Sequence, residues 1–205
     1  SEEATQTWAR SGPWEPRIRA ECEAVRDAAG ILDLPGFSRY RLEGEGAAEA
    51  LRGLCTGGIP KVGRIGLLYF ADDRGRIVTE MSAMRLAEDF FFLITAATAQ
   101  WHDLEWLQKH APEGLSLADV TRDFSCQILS GPKSRDILAS LTDADLSQPW
   151  LTHQSAQLGE TWVQLVRVSF AGELGWEVHS KIEDTAAVYD MLLDAGKPHG
   201  LKPFG

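Results

Sequence analysis

The feature that most constrains the fold is a stretch of thirteen residues that occurs twice in related form. CQILSGPKSRDIL (Cys126–Leu138) aligns without a gap on RYRLEGEGAAEAL (Arg39–Leu51), so that Gly131 falls on Gly44. Each copy predicts a strand by alternation, then a glycine turn and a short helix. Similar elements follow both copies, which indicates an internal duplication. We therefore predict an α+β fold of two duplicated antiparallel-sheet modules with helices on their outer faces.

The duplication divides the chain into three parts. We expect a lead segment with one helix (1–38), a first module (39–123) and a second module (124–205). The lead helix is predicted over 15–29, because apolar residues recur there at helical spacing and Gly30 follows. The first module reads β-α-β-β-β-α-β. The second contains a long strand, TWVQLVRVSF, then GWEVHS and a helix, and it stops where its last strand is expected. We therefore expect a chain cut from a longer protein.

Composition argues against several classes of function. The formal net charge is −10 with scattered basic residues, which disfavours nucleic acids and anionic membrane surfaces as partners. The three cysteines are far apart and the five histidines show no HxxxH spacing, so neither a disulfide framework nor a protein-built metal site is expected. The longest apolar run has strand length, and the N-terminus is acidic and polar, unlike a signal peptide. We predict a protein of a reducing compartment, the cytoplasm.

The segment RVSFAGELGWEVH (Arg167–His179) combines strand-like alternation with two acids. We predict a hairpin with a two-residue turn between Gly172 and Gly175. Beyond the turn, alternation places Trp176 and Val178 on one face and Glu177 and His179 on the other. A carboxylate on a concave sheet face can accept two parallel N–H bonds from a 2-amino-4-oxo heterocycle. The alternative is that Glu173 and Glu177 are ordinary solvated residues of a hairpin.

Several stretches together resemble the aminomethyltransferase (glycine cleavage T-protein) family. The resemblance is closest to the folate domain in the C-terminal half of dimethylglycine and sarcosine dehydrogenases and oxidases. It implies the folate-binding fold of that family without its C-terminal barrel. The matching stretches, in the family's order, are AVRDAAGILDLPGFSRYRLEGEGA, RIVTEMSAMRLAEDFFFLITAA, SGPKSRDILASLTDADLS and RVSFAGELGWEVH.

The resemblance implies a tetrahydrofolate-binding domain that takes up a one-carbon unit from an amine as 5,10-methylenetetrahydrofolate. It suggests Glu177 as the acid that holds the pterin, with Glu173 as second choice. Phe170 stands where the family often has a tyrosine and could stack on the ring. Arg167 is either a ligand or a charge at the end of a strand.

Other positions depart from the family pattern. Thr79 and Glu80 replace an acidic pair, and we expect Glu80 to orient N10 of the folate or to accept its proton. Leu67 falls where many transferases have a tyrosine, and Thr95 lies where they have an asparagine-containing stretch. A threonine hydroxyl there could still bond the pterin edge.

Two functions remain open at this level. In the first, the chain is the one-carbon-transferring part of an aminomethyltransferase-like or N-methylglycine-demethylating enzyme, with a small amine donor as partner. FAD is then expected only in a separate upstream flavin domain or subunit. In the second, the chain is a non-catalytic folate-binding factor of the same fold, acting in iron–sulfur assembly or tRNA modification.

Overall fold

The computed structural model describes residues 12–205, so most of the acidic N-terminal stretch lies outside the described residues. Within that range the chain forms five α-helices and twelve strands. The helices are α1 (Glu15–Asp27), α2 (Ala47–Leu54), α3 (Gln100–His110), α4 (Ser134–Ala139) and α5 (Thr185–Gly196). The strands are β1 (Gly30–Asp33), β2 (Phe37–Glu43), β3 (Cys55–Thr56), β4 (Ile65–Ala71), β5 (Ile77–Ala87), β6 (Phe90–Ala96), β7 (Ser116–Asp119), β8 (Phe124–Ser130), β9 (Thr152–Leu158), β10 (Thr161–Arg167), β11 (Gly175–Lys181) and β12 (Lys202–Pro203).

The strands form two six-stranded sheets whose order repeats. The first sheet runs β3-β4-β5-β6-β2-β7 and the second runs β12-β1-β8-β11-β10-β9. β4-β5-β6-β2 in the first sheet corresponds to β9-β10-β11-β8 in the second, which confirms the predicted pair of modules. All pairings are antiparallel except the short parallel pair of β1 and β12.

Each sheet buries its outer face under its own helices, as strand alternation requires. Tyr40 and Leu93 of the first sheet belong to a core that also contains Leu51 of α2 and Leu107 of α3. On the second, Trp176 and Val178 pack against α4 and α5 in a separate core. The two inner faces meet in a third apolar cluster of six buried residues, Ile65, Met84, Phe92, Ile94, Val120 and Val166. The fold is therefore a helix–sheet–sheet–helix stack, in agreement with the predicted class.

Three local features differ from what the sequence indicated. The lead helix ends at Asp27, and Gly30–Asp33 form β1, which adds to the edge of β8 instead of closing the helix with a turn. β9 was not predicted, because THQSAQL is mostly polar and buries only Ala156 and Leu158. β10 ends at Arg167, so residues 168–174 form a longer loop where a two-residue turn was expected.

The predicted boundaries between the lead segment and the first module (38/39) and between the two modules (123/124) remain predictions. β1 comes from the predicted lead segment but joins the second sheet, where it lies beside β8 as β7 lies beside β2 in the first. The last expected strand exists in short form as β12, which runs parallel to β1.

Backbone bonds link the two sheets at one end of their interface. Ile65 N–H donates to the Leu151 carbonyl at 3.1 Å, and His153 N–H donates to Gly63 at 3.0 Å. The His153 ring reaches the carbonyl of Arg85, with Nε2 at 3.1 Å from the oxygen. These bonds fix the inner faces relative to each other and leave a cleft toward the 168–174 loop.

Among residues 12–205, no helix combines the length and the apolar character that crossing a membrane requires.

Candidate functional site

A cleft of about 180 Å³ lies between the inner faces of the two sheets. β2, β4, β5 and β6 form one wall and β8 and β11 the other, with the 168–174 loop at the rim. Its walls are partly apolar, with Phe37, Ile65 and Ile94 from the first sheet. The polar groups that converge on it are Arg39, Ser82, Cys126, Ser169, Glu177 and His179.

Glu177 and His179 face this cleft because β11 alternates as its sequence predicts. Trp176 and Val178 point to the opposite side, where both are fully buried in the core under α4 and α5. Val166, which pairs with Glu177, belongs to the inter-sheet cluster. Since paired residues of neighbouring strands face the same side, Glu177 also faces inward. The predicted division of faces in GWEVH is confirmed.

The Glu177 carboxylate and the His179 ring form a hydrogen-bonded pair, with Oε2 and Nε2 2.9 Å apart. The His179 side chain is 5% exposed and that of Glu177 is 24% exposed, so the acid has the more open position. An ionised carboxylate only accepts, so the proton of this bond is on Nε2. The other ring nitrogen of His179, Nδ1, is buried without a hydrogen-bond partner in the described structure.

Arg39 on the opposite wall is a buried cation with few partners. The residue is 2% exposed, and its Nη1 donates to the Phe37 carbonyl at 2.9 Å. Its Nε is buried without a partner, and within the described part of the chain the guanidinium is in no ion pair. Burial lowers the pKa of Arg39, and the nearby Cys126 and Glu177 act in the opposite direction. A buried guanidinium with so few bonds is costly unless a ligand satisfies it.

Cys126 lines the cleft from β8. The residue is 1% exposed, and burial raises the pKa of its thiol well above the ordinary value. One potential ligand atom from each of Cys126, Glu177 and His179 lies within 4.8 Å of the others. A metal ion would require the deprotonated thiol, which burial disfavours, and it would lie near the cationic Arg39, so the cluster is poorly suited to a metal ion.

The cleft has polar atoms that are free to bond a pterin ring. Three of its polar atoms, Arg39 Nε, Ser169 Oγ and His179 Nδ1, are buried without partners. Glu177 adds acceptor positions, since only its Oε2 is bonded in the described structure. The volume is below the roughly 300–1,000 Å³ of pockets that enclose a whole drug-sized ligand. The cleft therefore matches the size and polarity of a ring system, while a longer tail would extend outside it.

A second inter-sheet cavity of about 430 Å³ shares His179 with the cleft. Its lining is mainly apolar and includes Met84, Phe92 and Phe124, with Arg41 and Lys181 as its basic residues. A further open groove of about 540 Å³ beside α4 and β9 has Asp143 as its one ionisable side chain. Neither contains the converging polar groups of the smaller cleft.

Glu80 and Leu67 lie on the same inner face as the cleft. Leu67 pairs with the cleft residue Ser82 across β4 and β5, and it is 50% exposed. Glu80 is exposed and pairs with Tyr69. It stands two residues before Ser82 on β5, about 7 Å along the strand. Both residues thus lie beside the cleft and not inside it.

Phe170 lies in the 168–174 loop at the rim of the cleft. Its side chain is fully exposed, and Gly172 two residues later has a φ of 86°, which glycine adopts without strain. An exposed aromatic ring at the mouth of a polar cleft can cover a planar ligand.

The structure separates three predicted site residues from Glu177. Glu173 faces α1, where its carboxylate is 3.9 Å from Arg26. Arg167 lies on the outer face, 5.0 Å from the centre of the Trp176 ring, and donates to the Gly175 carbonyl at 3.0 Å. Thr95 also points outward, and its hydroxyl donates to the fully buried Asp103 at 2.7 Å.

Sequence reasoning did not single out Arg39 or Cys126, and it placed His179 without assigning it a role. For Arg39 a signal existed, because Phe37, Arg39 and Arg41 share one face of β2, opposite Tyr40 and Leu42. A charged residue at the inward position of a buried strand indicates a functional site. For Cys126 no signal distinguishes a cleft thiol from a core one.

Comparison with known proteins identifies the family and the fold. The model of the GCVT N-terminal domain matches residues 3–205. Mitochondrial dimethylglycine dehydrogenase of Rattus norvegicus is 31% identical over 198 residues, which are 94% of this chain and 23% of that protein. An aminomethyltransferase of Bacillus licheniformis is 29% identical over 204 residues, covering 95% of this chain and 56% of that enzyme. The chain thus spans about half or less of the length of these curated relatives.

Two solved structures share the fold. Glycine cleavage system aminomethyltransferase T from Bartonella henselae has a TM-score of 0.80 at 22% identity, covering 92% of this chain and 51% of that one. A chain of heterotetrameric sarcosine oxidase from Corynebacterium sp. U-96, solved with pyrrole 2-carboxylate, has a TM-score of 0.69 at 21% identity, covering 94% and 97%. The family match over nearly the whole chain confirms the resemblance found in the sequence: this chain belongs to the GCVT N-terminal domain family, whose relatives include aminomethyltransferases and dimethylglycine dehydrogenases.

Proposed function

We propose that the chain binds tetrahydrofolate in the cleft between its two sheets and serves in folate-dependent one-carbon transfer. The observation that carries the proposal is the position of Glu177, whose carboxylate enters a cleft lined with polar atoms that lack partners. The relatives that match along the chain are enzymes named for aminomethyl transfer and dimethylglycine oxidation. An aminomethyltransferase-like or N-methylglycine-demethylating enzyme is therefore the proposed context.

The pterin would be held by groups of β11 and of the loop before it. Glu177 accepts the two adjacent N–H groups of a 2-amino-4-oxo ring, and the bond from His179 keeps the carboxylate oriented. Phe170 covers the ring from the rim, and Ser169 Oγ offers a further bond. Tetrahydrofolate, when bound, supplies the amine nitrogens that accept the one-carbon unit. Glu173, Arg167 and Thr95 have structural roles in this proposal, because their bonds are on other faces.

Glu80 is the proposed proton acceptor for the transfer. Its carboxylate is exposed on the inner face of β5, beside the cleft and next to Tyr69. A general base needs access to the reacting nitrogen without burial in the pterin pocket, and this position provides it. Leu67 contributes an apolar contact at the same rim.

The proposed partners follow from the same reasoning. A small amine donor would deliver the carbon, and a flavin domain or subunit with FAD would generate it if the protein is a demethylating enzyme. The heterotetrameric sarcosine oxidase is one assembly in which a chain of this fold occurs. A cytoplasmic location stays a prediction, and mitochondrial relatives represent the alternative.

The binding test is calorimetric titration of the chain with tetrahydrofolate, with Glu177→Gln as the variant and Glu173→Gln as the matched control. Hydrogen bonds to a charged group contribute about 1.5–3 kcal/mol, so Glu177→Gln should weaken binding roughly ten- to a hundredfold. Glu173→Gln should leave the affinity unchanged, because that acid faces α1. Equal effects of the two substitutions would show that the pterin is not on Glu177.

The transfer test separates catalysis from binding. Glu80→Gln should retain tetrahydrofolate binding within about twofold and lose most of the transfer rate, since a neutral amide cannot accept the proton. Binding without any uptake of carbon from N-methylglycine donors by the wild-type protein would favour the non-catalytic alternative.

A further inference from the structure

Arg39 is the charged group of the cleft that the proposed function does not yet use. It lies in β2 of the first sheet, whereas Glu177 lies in β11 of the second, and both line the same space. The two walls therefore present opposite chemistry. One carries a carboxylate that only accepts hydrogen bonds, and the other carries a guanidinium that only donates them.

The bonds of Arg39 leave most of its donors available. Of the five N–H groups of a guanidinium, the described structure gives a partner to one, through Nη1 and the Phe37 carbonyl. Nε is buried without a partner, and the residue as a whole is 2% exposed. Arg39 lines the cleft, so its free donors are available to an acceptor that enters this space. Such an acceptor would offset part of the cost of burying the cation.

The edge of the proposed ligand has such an acceptor next to the groups that Glu177 binds. A 2-amino-4-oxo pterin presents two adjacent donors, the 2-amino group and N3–H, followed by the 4-oxo oxygen. We infer that Arg39 donates to this oxygen, so that the two sheets together read the complete edge and Arg39 determines specificity for the 4-oxo ring. The inference rests on the proposed function and adds to it the residue that selects the 4-oxo substituent of the ring.

The consequence is discrimination against 2,4-diamino analogues. Such a ring places an amino donor where the 4-oxo acceptor stands, and this donor would face the donors of Arg39. Both sets of N–H groups would be unpaired in a buried site, a mismatch that sites built for hydrogen bonding reject strongly. The cleft should therefore prefer tetrahydrofolate over its 4-amino counterpart by at least about tenfold.

The experiment compares the dissociation constants of tetrahydrofolate and 4-amino-4-deoxytetrahydrofolate for wild type, Arg39→Met and Arg41→Met. Arg39→Met keeps a long apolar stem but removes every donor, so the preference should fall to about twofold or less. Arg41→Met is the matched control, because Arg41 lies on the same face of β2, is exposed and lines the neighbouring cavity. It should keep the wild-type preference.

Urea unfolding of the same variants distinguishes ligand recognition from a structural role. Arg39 is buried and in no ion pair of the described structure, so an apolar replacement removes a desolvation cost without breaking a salt bridge. Arg39→Met should therefore unfold at no lower a urea concentration than wild type. If this variant does not fold, Arg39→Gln replaces it in the experiment. The glutamine retains a neutral N–H donor, so this variant should show an intermediate preference for tetrahydrofolate over its 4-amino counterpart.

The outcomes separate the two proposals. Wild-type protein that binds tetrahydrofolate, loses affinity in Glu177→Gln and keeps its full preference in Arg39→Met would overturn the role of Arg39 alone. Wild-type protein that binds neither ligand would overturn both proposals. A preference that disappears in Arg39→Met and persists in Arg41→Met would establish Arg39 as the reader of the 4-oxo oxygen.

Discussion

Gly44 and Gly131 occupy the same position in the two copies of the repeat, yet alanine should have very different effects there. Both have positive φ, +126° at Gly44 and +118° at Gly131, so either substitution strains the backbone by about 1–3 kcal/mol. At Gly44 the new Cβ would first meet Leu115 Cδ2, the end of a flexible side chain, at 3.2 Å. At Gly131 it would lie 2.6 Å from the Val25 carbonyl oxygen and 2.7 Å from that of Ala28.

The contacts at Gly131 are backbone atoms at the end of α1, which cannot move without displacing the helix. Overpacking of this kind costs about 1–3 kcal/mol more. We therefore expect Gly44→Ala to lower the free energy of unfolding by about 1–3 kcal/mol and Gly131→Ala by about 2–6 kcal/mol. For a chain of this size, each kcal/mol corresponds to about 2–4 °C in Tm.

The assay is urea unfolding followed by circular dichroism, with the slope against denaturant used to verify two-state behaviour. Gly46→Ala serves as control, since its φ is +89° and nothing lies within 4 Å of the added Cβ. It isolates backbone strain from steric contact. Equal losses for Gly44→Ala and Gly131→Ala would refute the packing of α1 against the second glycine turn.

Three further predictions concern residues outside the cleft. Thr95→Val should lower the free energy of unfolding by about 1–3 kcal/mol in urea, because it leaves Oδ2 of the buried Asp103 without the Thr95 bond, and calorimetry should show unchanged tetrahydrofolate affinity. Burial lowers the pKa of His153 from 6.5, so the folded protein binds a proton there less readily than the unfolded chain. Stability should therefore be full above pH 6.5 and fall below it, and His153→Gln should flatten that part of the pH profile measured by thermal unfolding. Arg167→Met should cost about 0.5–2 kcal/mol in urea through its lost contact with Trp176, and a loss of ligand affinity without a loss of stability would instead place Arg167 in the site.

The sequence by itself determined the features that depend on local periodicity. The repeated strand–glycine–helix unit predicted two modules, and the observed strand orders confirm it. The alternation in GWEVH placed Glu177 and His179 opposite Trp176 and Val178, because side chains on a strand alternate whatever lies on either side. The sequence of an amphipathic strand therefore predicts which of its residues can line a cleft.

Only the tertiary structure decided which residues meet across the chain. β1 pairs with β8, which is far away in sequence, because the pairing satisfies its backbone bonds and buries Ile31 in the core of the second sheet. The two acids near the hairpin separate, Glu177 into the cleft and Glu173 toward α1, since the loop between β10 and β11 is longer than a tight turn. Arg39 reaches Glu177's cleft because the two inner faces pack on each other. Hydrophobic periodicity and strand propensity describe one strand at a time. The contacts of an inward-facing side chain depend instead on which sheet packs over it.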